Sequence, residues 1–261
     1  MNVISWFRRH TVTAHLLACL LALLLFFVWA PAALIVMIVY VSVLGVASMN
    51  MSLNLYLDAF RHIPVGSQPA AGAGGQIALS FDDSPTDGTA QVLAILKAHK
   101  VKATFFIVGV HAAARPDLLR QIVQEGHAIG NHSYCHEHML PMRSAEAILA
   151  DIRQCSRTIQ DIVGVTPQMY RPPFGVVNPA IAQAVAACGL PCVGWSLRSF
   201  DTATPRPERL LSRIVRRLKP GAIVLLHDYP AVTPQILPDL LLEIERRNLS
   251  CVLLSPEILQ P

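Results

Sequence analysis

Charge is scarce in this chain and, near its front, missing altogether. Only 15% of the 261 residues are Asp, Glu, Lys or Arg, against about 25% in an ordinary globular domain. Residues 11–57, a run of 47, contain none, and His15 holds the only titratable nitrogen among them. The first acid is Asp58, and apart from Arg8 and Arg9 the basic residues begin at Arg61. The net charge is a modest +4 and no basic block is interleaved with aromatics, which argues against a nucleic-acid partner. Arg209, Arg213 and Arg216 fall on one face of an expected helix, and the plain reading is a solvated face. Six cysteines form no repeating framework. Cys188 and Cys192, in CGLPC, are one residue too far apart for a redox pair and lack the second pair a zinc site needs. Free thiols in a reducing compartment are expected. These absences exclude a disordered chain, a small disulfide scaffold and a polytopic transporter. What remains is a membrane-embedded front and a normally charged domain of about 200 residues, enough for a sizeable core.

The apolar run is too long for one membrane crossing. A hydrocarbon core of about 30 Å takes about 20 helical residues. Pro31, in FVWAPAAL, supplies a break and gives two spans near 13–30 and 32–48, with Trp29 as an interfacial aromatic. The expectation is a transmembrane helical hairpin with both ends on one side. Arg8 and Arg9 then place the N-terminus, and with it the large domain, in the cytoplasm as part of a multi-pass membrane protein. Two rivals are a cleaved signal sequence at Ala30-Pro31-Ala32 and a shallow hairpin that never crosses. The organisation read from the sequence is an anchor over 1–60, a flexible linker over 61–75 that holds GSQPAAGAGG, and a folded domain over 76–258.

Within that domain short apolar runs alternate with helical patterns. Strands are expected at 76–81, 103–108, 128–132, 168–171, 191–195, 222–226 and 251–254. Helices are expected at 89–99, 116–125, 144–163, 178–187, 207–218 and 234–247. Such βα alternation predicts an α/β fold built on a parallel sheet or barrel. In these folds functional side chains gather where strands end.

The polar residues follow that rule. SFDDSP, at 80–85, closes the first strand with adjacent carboxylates Asp82 and Asp83, costly to bury without a cation. GNHSYCHEH follows the third strand, and a helical turn would bring His132 and His136 to one side of a metal, with His138 either reaching it or facing solvent. RPPFG follows the fourth strand as a rigid loop, and Arg171 is able to bridge a carboxylate. IVLLHD ends the sixth strand at His227, either a satisfied core residue or an acid–base group.

Together and in this order the motifs resemble the polysaccharide deacetylase family, the NodB homology domain group also called carbohydrate esterase family 4. The stretches KATFFIVG at 102–109 and EGHAIGNHSYCH at 125–136 share in the resemblance, which covers 76–254. It implies a distorted (β/α)7 barrel of the NodB type and a metal-dependent carbohydrate N-deacetylase. It also implies roles. Asp82 is the catalytic base, and Asp83, His132 and His136 hold a divalent metal, with zinc the expected ion among several that the family uses. Arg171 orients Asp82, the backbone N–H of Phe174 beside Pro173 holds the oxyanion, and His227 is the general acid tuned by Asp201. Departures from the pattern are Ser84 for a glycine, Phe174 for a tyrosine, and, in WSLRSFDT, Arg198 for an acid and Thr202 for a tryptophan. The expected substrate is an acylated amino sugar, in a polymer or linked to a lipid. A noncatalytic carbohydrate-binding relative and an O-acetyl esterase are the alternatives.

Overall fold

Apolar side chains on every side, rather than along one stripe, make the front of the chain a helix with no polar face. It forms α1 (Thr11–Ser48), whose leucines, valines and phenylalanines lie exposed all round it. Among the described residues it is the one helix long and apolar enough to cross a membrane. In this computed structural model the described residues are 7–64 and 74–259. The expected hairpin of two separate helices is corrected here to a single helical element, sharply bent. Pro31 sits inside it, and the break falls two residues earlier, at Trp29, whose backbone is extended (φ −162°, ψ 97°). Pro31 lacks an N–H and crowds the preceding turn, which displaces the break toward the N-terminus. On a straight helix His15 and Tyr40 would stand about 37 Å apart, yet His15 Nδ1 is 2.6 Å from the Tyr40 hydroxyl. Near the base of α1, Arg8 grips Asp58 with both nitrogens, at 2.5 and 2.7 Å.

The chain then enters the folded domain earlier than Gln76. Met51 is buried in a core cluster with Tyr170 and Ile181. The short strand β1 (Ala59–Phe60) pairs with β5 (Cys192–Val193), and His62 bridges Ala222. Residues 65–73, most of the expected linker, lie outside the described residues.

The central strand is β2 (Gly75–Ser84), buried from Ile77 to Asp82, as a parallel strand covered on both faces must be. It is flanked by β3 (Thr104–Ile107) and β7 (Ile223–His227). The parallel sheet continues through β4 (Ala128–Asn131) on one side and β6 (Leu197–Arg198) on the other, and β8 (Leu249–Cys251) pairs with the start of β2. Helices α2 (Thr89–Ala98), α3 (Gly109–Ala114), α4 (Pro116–Gln124) and α5 (Ala145–Val163) follow the first strands. The helices α6 (Pro179–Cys188), α7 (Pro207–Arg217), α8 (Val232–Arg246) and α9 (Pro256–Leu259) complete the chain. The sequence explains their ends. Ser144 and Asn178 cap α5 and α6 by accepting from Ala147 and Ile181, and Gly164 closes α5 at φ 70°. Phe81 and Phe105 stack at 5.1 Å in the core beneath α2 and α8.

The expected barrel is only partly drawn by hydrogen bonds. The strand predicted at 168–171 shrinks to Tyr170, which bridges both Asn131 and Cys192, because two prolines follow Arg171 and cannot donate to a ladder. Between β5 and β6 the described residues show no strand pairing. The Gly194 N–H there donates to Phe60 of β1 instead. The sheet is therefore an arc extended by single bridges, with β1 inserted at its gap.

Candidate active site

Adjacent residues of a regular strand point to opposite faces. Asp82 and Asp83 nevertheless serve one site, because the register between β2 and β3 slips between Phe81 and Ser84 and Asp83 adopts a left-handed backbone at φ 66°. That conformation is held by His111, whose Nδ1–H donates to the Asp83 carbonyl at 2.8 Å. Across the sheet, Asp82 is the register partner of His227, so the first carboxylate and the last motif meet at the same strand end.

Arg171 has no solvent exposure and fixes Asp82. Its Nη1 donates to Asp82 Oδ1 at 2.6 Å and to Ser80 Oγ at 2.9 Å, and its remaining nitrogens reach the carbonyls of Val193 and Gly194. Burial lowers the arginine pKa, a shift that the neighbouring Asp82 charge opposes.

His132 and His136 do meet Asp83, but not on a helical turn. The helix-like turn expected from their spacing is replaced by an irregular loop with Ser133 and His136 in left-handed conformations (φ 73° and 50°). Asp151 of α5 explains how that loop stands. It accepts from Ser133 Oγ (2.7 Å), from the Tyr134 N–H (2.7 Å) and from the Cys135 N–H (3.2 Å). His132 Nδ1 lies 2.7 Å from the Arg171 carbonyl, which can only accept, so Nδ1 carries the proton and Nε2 presents its lone pair. His136 Nε2 lies 3.1 Å and His132 Nε2 3.5 Å from Asp83 Oδ1.

These three residues fit a divalent cation. One ligand atom from each lies within 4.8 Å of the others. Asp83 Oδ1 is buried without a hydrogen-bond partner. Burial raises the Asp83 pKa and lowers those of both imidazoles, so each group resists charge of its own. A carboxylate oxygen facing two neutral imidazole nitrogens is an unfavourable set of acceptors until a cation joins them, and the N/O donors suit zinc. His138 stays out of the group, exposed and stacked on Phe174 at 4.9 Å.

His227 Nδ1 lies 2.9 Å from Asp201 Oδ1, while the His227 N–H donates to the other oxygen at 2.7 Å. Burial lowers the imidazole pKa, but the Asp201 hydrogen bond and charge overcome it and the net shift is upward. Phe174 holds a left-handed backbone at φ 60° and turns its ring over His136, 4.7 Å away.

Comparison with known proteins gives this constellation its relatives. The family model described as "Polysaccharide deacetylase" matches residues 71–193. A chitooligosaccharide deacetylase of Bradyrhizobium sp. is 37% identical over 155 residues, which is 58% of this chain and 70% of that one. The chain belongs to the polysaccharide deacetylase family. A peptidoglycan-N-acetylglucosamine deacetylase of Bacillus cereus is likewise 37% identical, over 58% of this chain and 72% of its own. Among solved structures, a family 4 carbohydrate esterase from Streptomyces lividans superposes with a TM-score of 0.67 at 31% identity, covering 71% of this chain and 96% of that one. The α/β fold is thus of the NodB type.

The departures from the family pattern now have positions. Ser84, in place of glycine, is not at positive φ, and its hydroxyl donates to Asp228 at 2.8 Å. The Thr202 N–H donates to Asp201. Arg198 is exposed and stacks over Phe200, 4.9 Å from the ring centroid. Arg213 is not part of a solvated face: it donates to Thr204 Oγ1 at 3.1 Å and so steadies the loop that carries Asp201. Sequence reasoning missed two acids. Asp228 collects the hydroxyls of Ser84, Thr86 and Thr89 and ties down the loop after β2. Asp151 had a visible signal, since it interrupts the apolar face Ile148, Ile152, Cys155, Ile159 of α5 with a buried acid.

Asp151 is a positioning residue for both histidines. Asp151→Ala should weaken zinc binding by about 10–100-fold, read by calorimetric titration of the full chain, and Asp151→Asn, which keeps one acceptor oxygen, should weaken it less. Equal affinity in all three proteins would show that the loop needs no such anchor.

Proposed function

We propose that the chain is a membrane-anchored, metal-dependent carbohydrate N-deacetylase that hydrolyses the N-acyl group, an acetyl in the first instance, of an amino sugar in a polymer or a lipid-linked saccharide. The observation that carries this reading is the unpartnered, buried Asp83 oxygen facing the two neutral imidazoles, beside a second carboxylate fixed by Arg171. A divalent cation held by Asp83, His132 and His136, zinc by preference, supplies a Lewis acid for the acyl carbonyl and makes a water molecule beside it more acidic.

The chain's own groups do the rest. Arg171 occupies Asp82 Oδ1, which leaves Oδ2 to take the proton of the attacking water as the new C–O bond forms. The backbone N–H of Phe174, in the loop stiffened by Pro173, faces the oxyanion. Asp201 holds His227 Nδ1, so Nε2 is the atom that delivers a proton to the amine nitrogen as the C–N bond breaks. The products are a carboxylate and a free amino group on the sugar.

The anchor is α1. Its limbs on either side of Trp29 hold 18 and 19 residues, each about 27–28 Å long at 1.5 Å per residue and close to a hydrocarbon core. Arg8 and Arg9 before α1 favour a cytoplasmic N-terminus, and the Arg8 ion pair with Asp58 keeps the deacetylase domain on that same side.

Four outcomes are expected. Asp82→Asn should cut amide hydrolysis of N-acetylated oligosaccharides by about 10²–10⁴-fold, and a chelator should abolish it until zinc is returned; full turnover in either case would refute the reading. Asp201→Asn removes the group that raises the His227 pKa, so the alkaline limb of kcat/KM should move to lower pH, because the acid then loses its proton earlier; an unmoved limb would detach His227 from that role. A reporter active only in the cytoplasm, fused after Pro261, should be active, and an inactive one alongside an active extracytoplasmic fusion would reverse the sidedness while leaving the chemistry intact.

A further inference from the structure

A cavity of about 370 Å³ opens beside the site, between the C-terminal end of α1 and the Phe174 loop. Its lining joins three kinds of surface. Val46 and Met49 belong to α1 and the turn after it, Phe174 and Trp195 supply aromatic walls, and Arg61 and Arg198 supply two guanidinium groups. No acid lines it. Among the described residues neither arginine has a carboxylate within ion-pair distance, although the chain forms such pairs elsewhere, as at Arg8 and Arg115. Arg198 is held in place without neutralisation by stacking over Trp195 and Phe200. Arg61 packs its stem against Gly194, whose added Cβ would lie 3.1 Å from Arg61 Cγ. The opposite wall is continuous with the active site, because the Phe174 ring also covers His136.

Two unneutralised guanidiniums in one cavity repel each other and favour an anion between them. Their planar donor sets match phosphate oxygens, two bonds at a time. A neutral amino-sugar polymer offers nothing to satisfy them. We infer that this cavity is a phosphate subsite, and that the substrate is an N-acyl amino sugar carrying a phosphate or diphosphate, its amide at Asp83, His132 and His136 and its phosphate at Arg61 and Arg198. The inference rests on the deacetylase reading above. Phosphate in that position has two sources, a lipid carrier or a nucleotide. The apolar lining residues Val46 and Met49, at the end of α1 and in the turn after it, suit a lipid carrier whose hydrocarbon enters the bilayer alongside the helix.

The test compares three substrates on the metal-loaded full chain in detergent micelles: N-acetylglucosamine linked to farnesyl diphosphate, its uridine diphosphate ester, and neutral chitotriose. The wild-type kcat/KM should favour a diphosphate substrate over chitotriose by about tenfold or more, as one or two charge-assisted contacts give. Arg61→Ala and Arg198→Ala should each shrink that ratio, mainly through KM, and Arg61→Glu and Arg198→Glu should shrink it further. Hydrolysis of the farnesyl compound alone assigns the anion to a lipid carrier, and hydrolysis of both esters assigns it to the diphosphate itself. A wild-type preference for chitotriose overturns the subsite, as does an equal loss in the Ala and Glu variants, which would mark the arginines as packing only. Hydrolysis of none of the three would strike the deacetylase reading instead. Binding of the farnesyl compound to the full chain bearing Asp82→Asn then decides the subsite by itself: affinity that falls on Arg→Glu substitution upholds it, and affinity indifferent to that change refutes it.

Discussion

One guanidinium without access to solvent holds the centre of this protein together. Arg171 sends its nitrogens to β2, through Ser80 and Asp82, and to the carbonyls of Val193 at the end of β5 and of Gly194 just beyond it. Its plane lies over the Phe106 ring, 3.9 Å from the centroid. A cation so placed would be costly to bury without its carboxylate, and Asp82 equally so without the arginine. The pair therefore ties the end of the central strand β2 to the gap between β5 and β6, where the arc of hydrogen-bonded strands is weakest. It leaves one Asp82 oxygen committed and the other free, and its own carbonyl sets the tautomer of His132.

The rest of the site is built by the same device, a buried acid that collects donors from a loop. Asp151 gathers the 133–135 turn, Asp228 gathers the hydroxyls after β2, and Asp201 gathers His227, Thr202 and Thr233. The Asp151 contact supports Ser133 in a left-handed conformation, and such residues cost of order 1–3 kcal/mol each when unsupported. Asp83, Ser133, His136 and Phe174 are all of this kind. Strain is concentrated where the chain must present side chains that a regular strand or helix would turn away.

This division explains what the sequence made legible. The strands β2, β3, β4 and β7 and the helices α2 and α4 to α8 follow from apolar runs and periodicity, whereas the short α3 gave no such signal, and the residues now clustered in the site were marked by acids and histidines at strand ends. The geometry that unites them was not legible. His132 and His136 have the spacing of a helical turn, and only the distant Asp151 decides that they use another route. Tyr170, a strand of one residue, and β1, a strand of two, are too short for any periodic signal. The break in α1 falls at Trp29 rather than at Pro31 because proline acts on the residues before it. Arg213 looked like one charge on a solvated helix, and its partner Thr204 lies in a loop whose path no local pattern specifies.

The short segment between α1 and β2 has a larger part than its composition suggests. Met51 fills the cluster around Tyr170, Phe60 takes the Gly194 N–H, and Ile63 is buried while its N–H reaches the Gly221 carbonyl. The apolar helix is thus joined to the domain by packed and hydrogen-bonded chain over residues 51–63, and Gly194, which this segment grips from one side, is gripped from the other by Arg171. A displacement of α1 relative to the sheet would have to break the Phe60–Gly194 bond or move a residue on which the Asp82 orientation depends. The apolar helix and the Asp82 site are therefore coupled through two shared backbone groups of a single glycine, its N–H held by Phe60 and its carbonyl by Arg171.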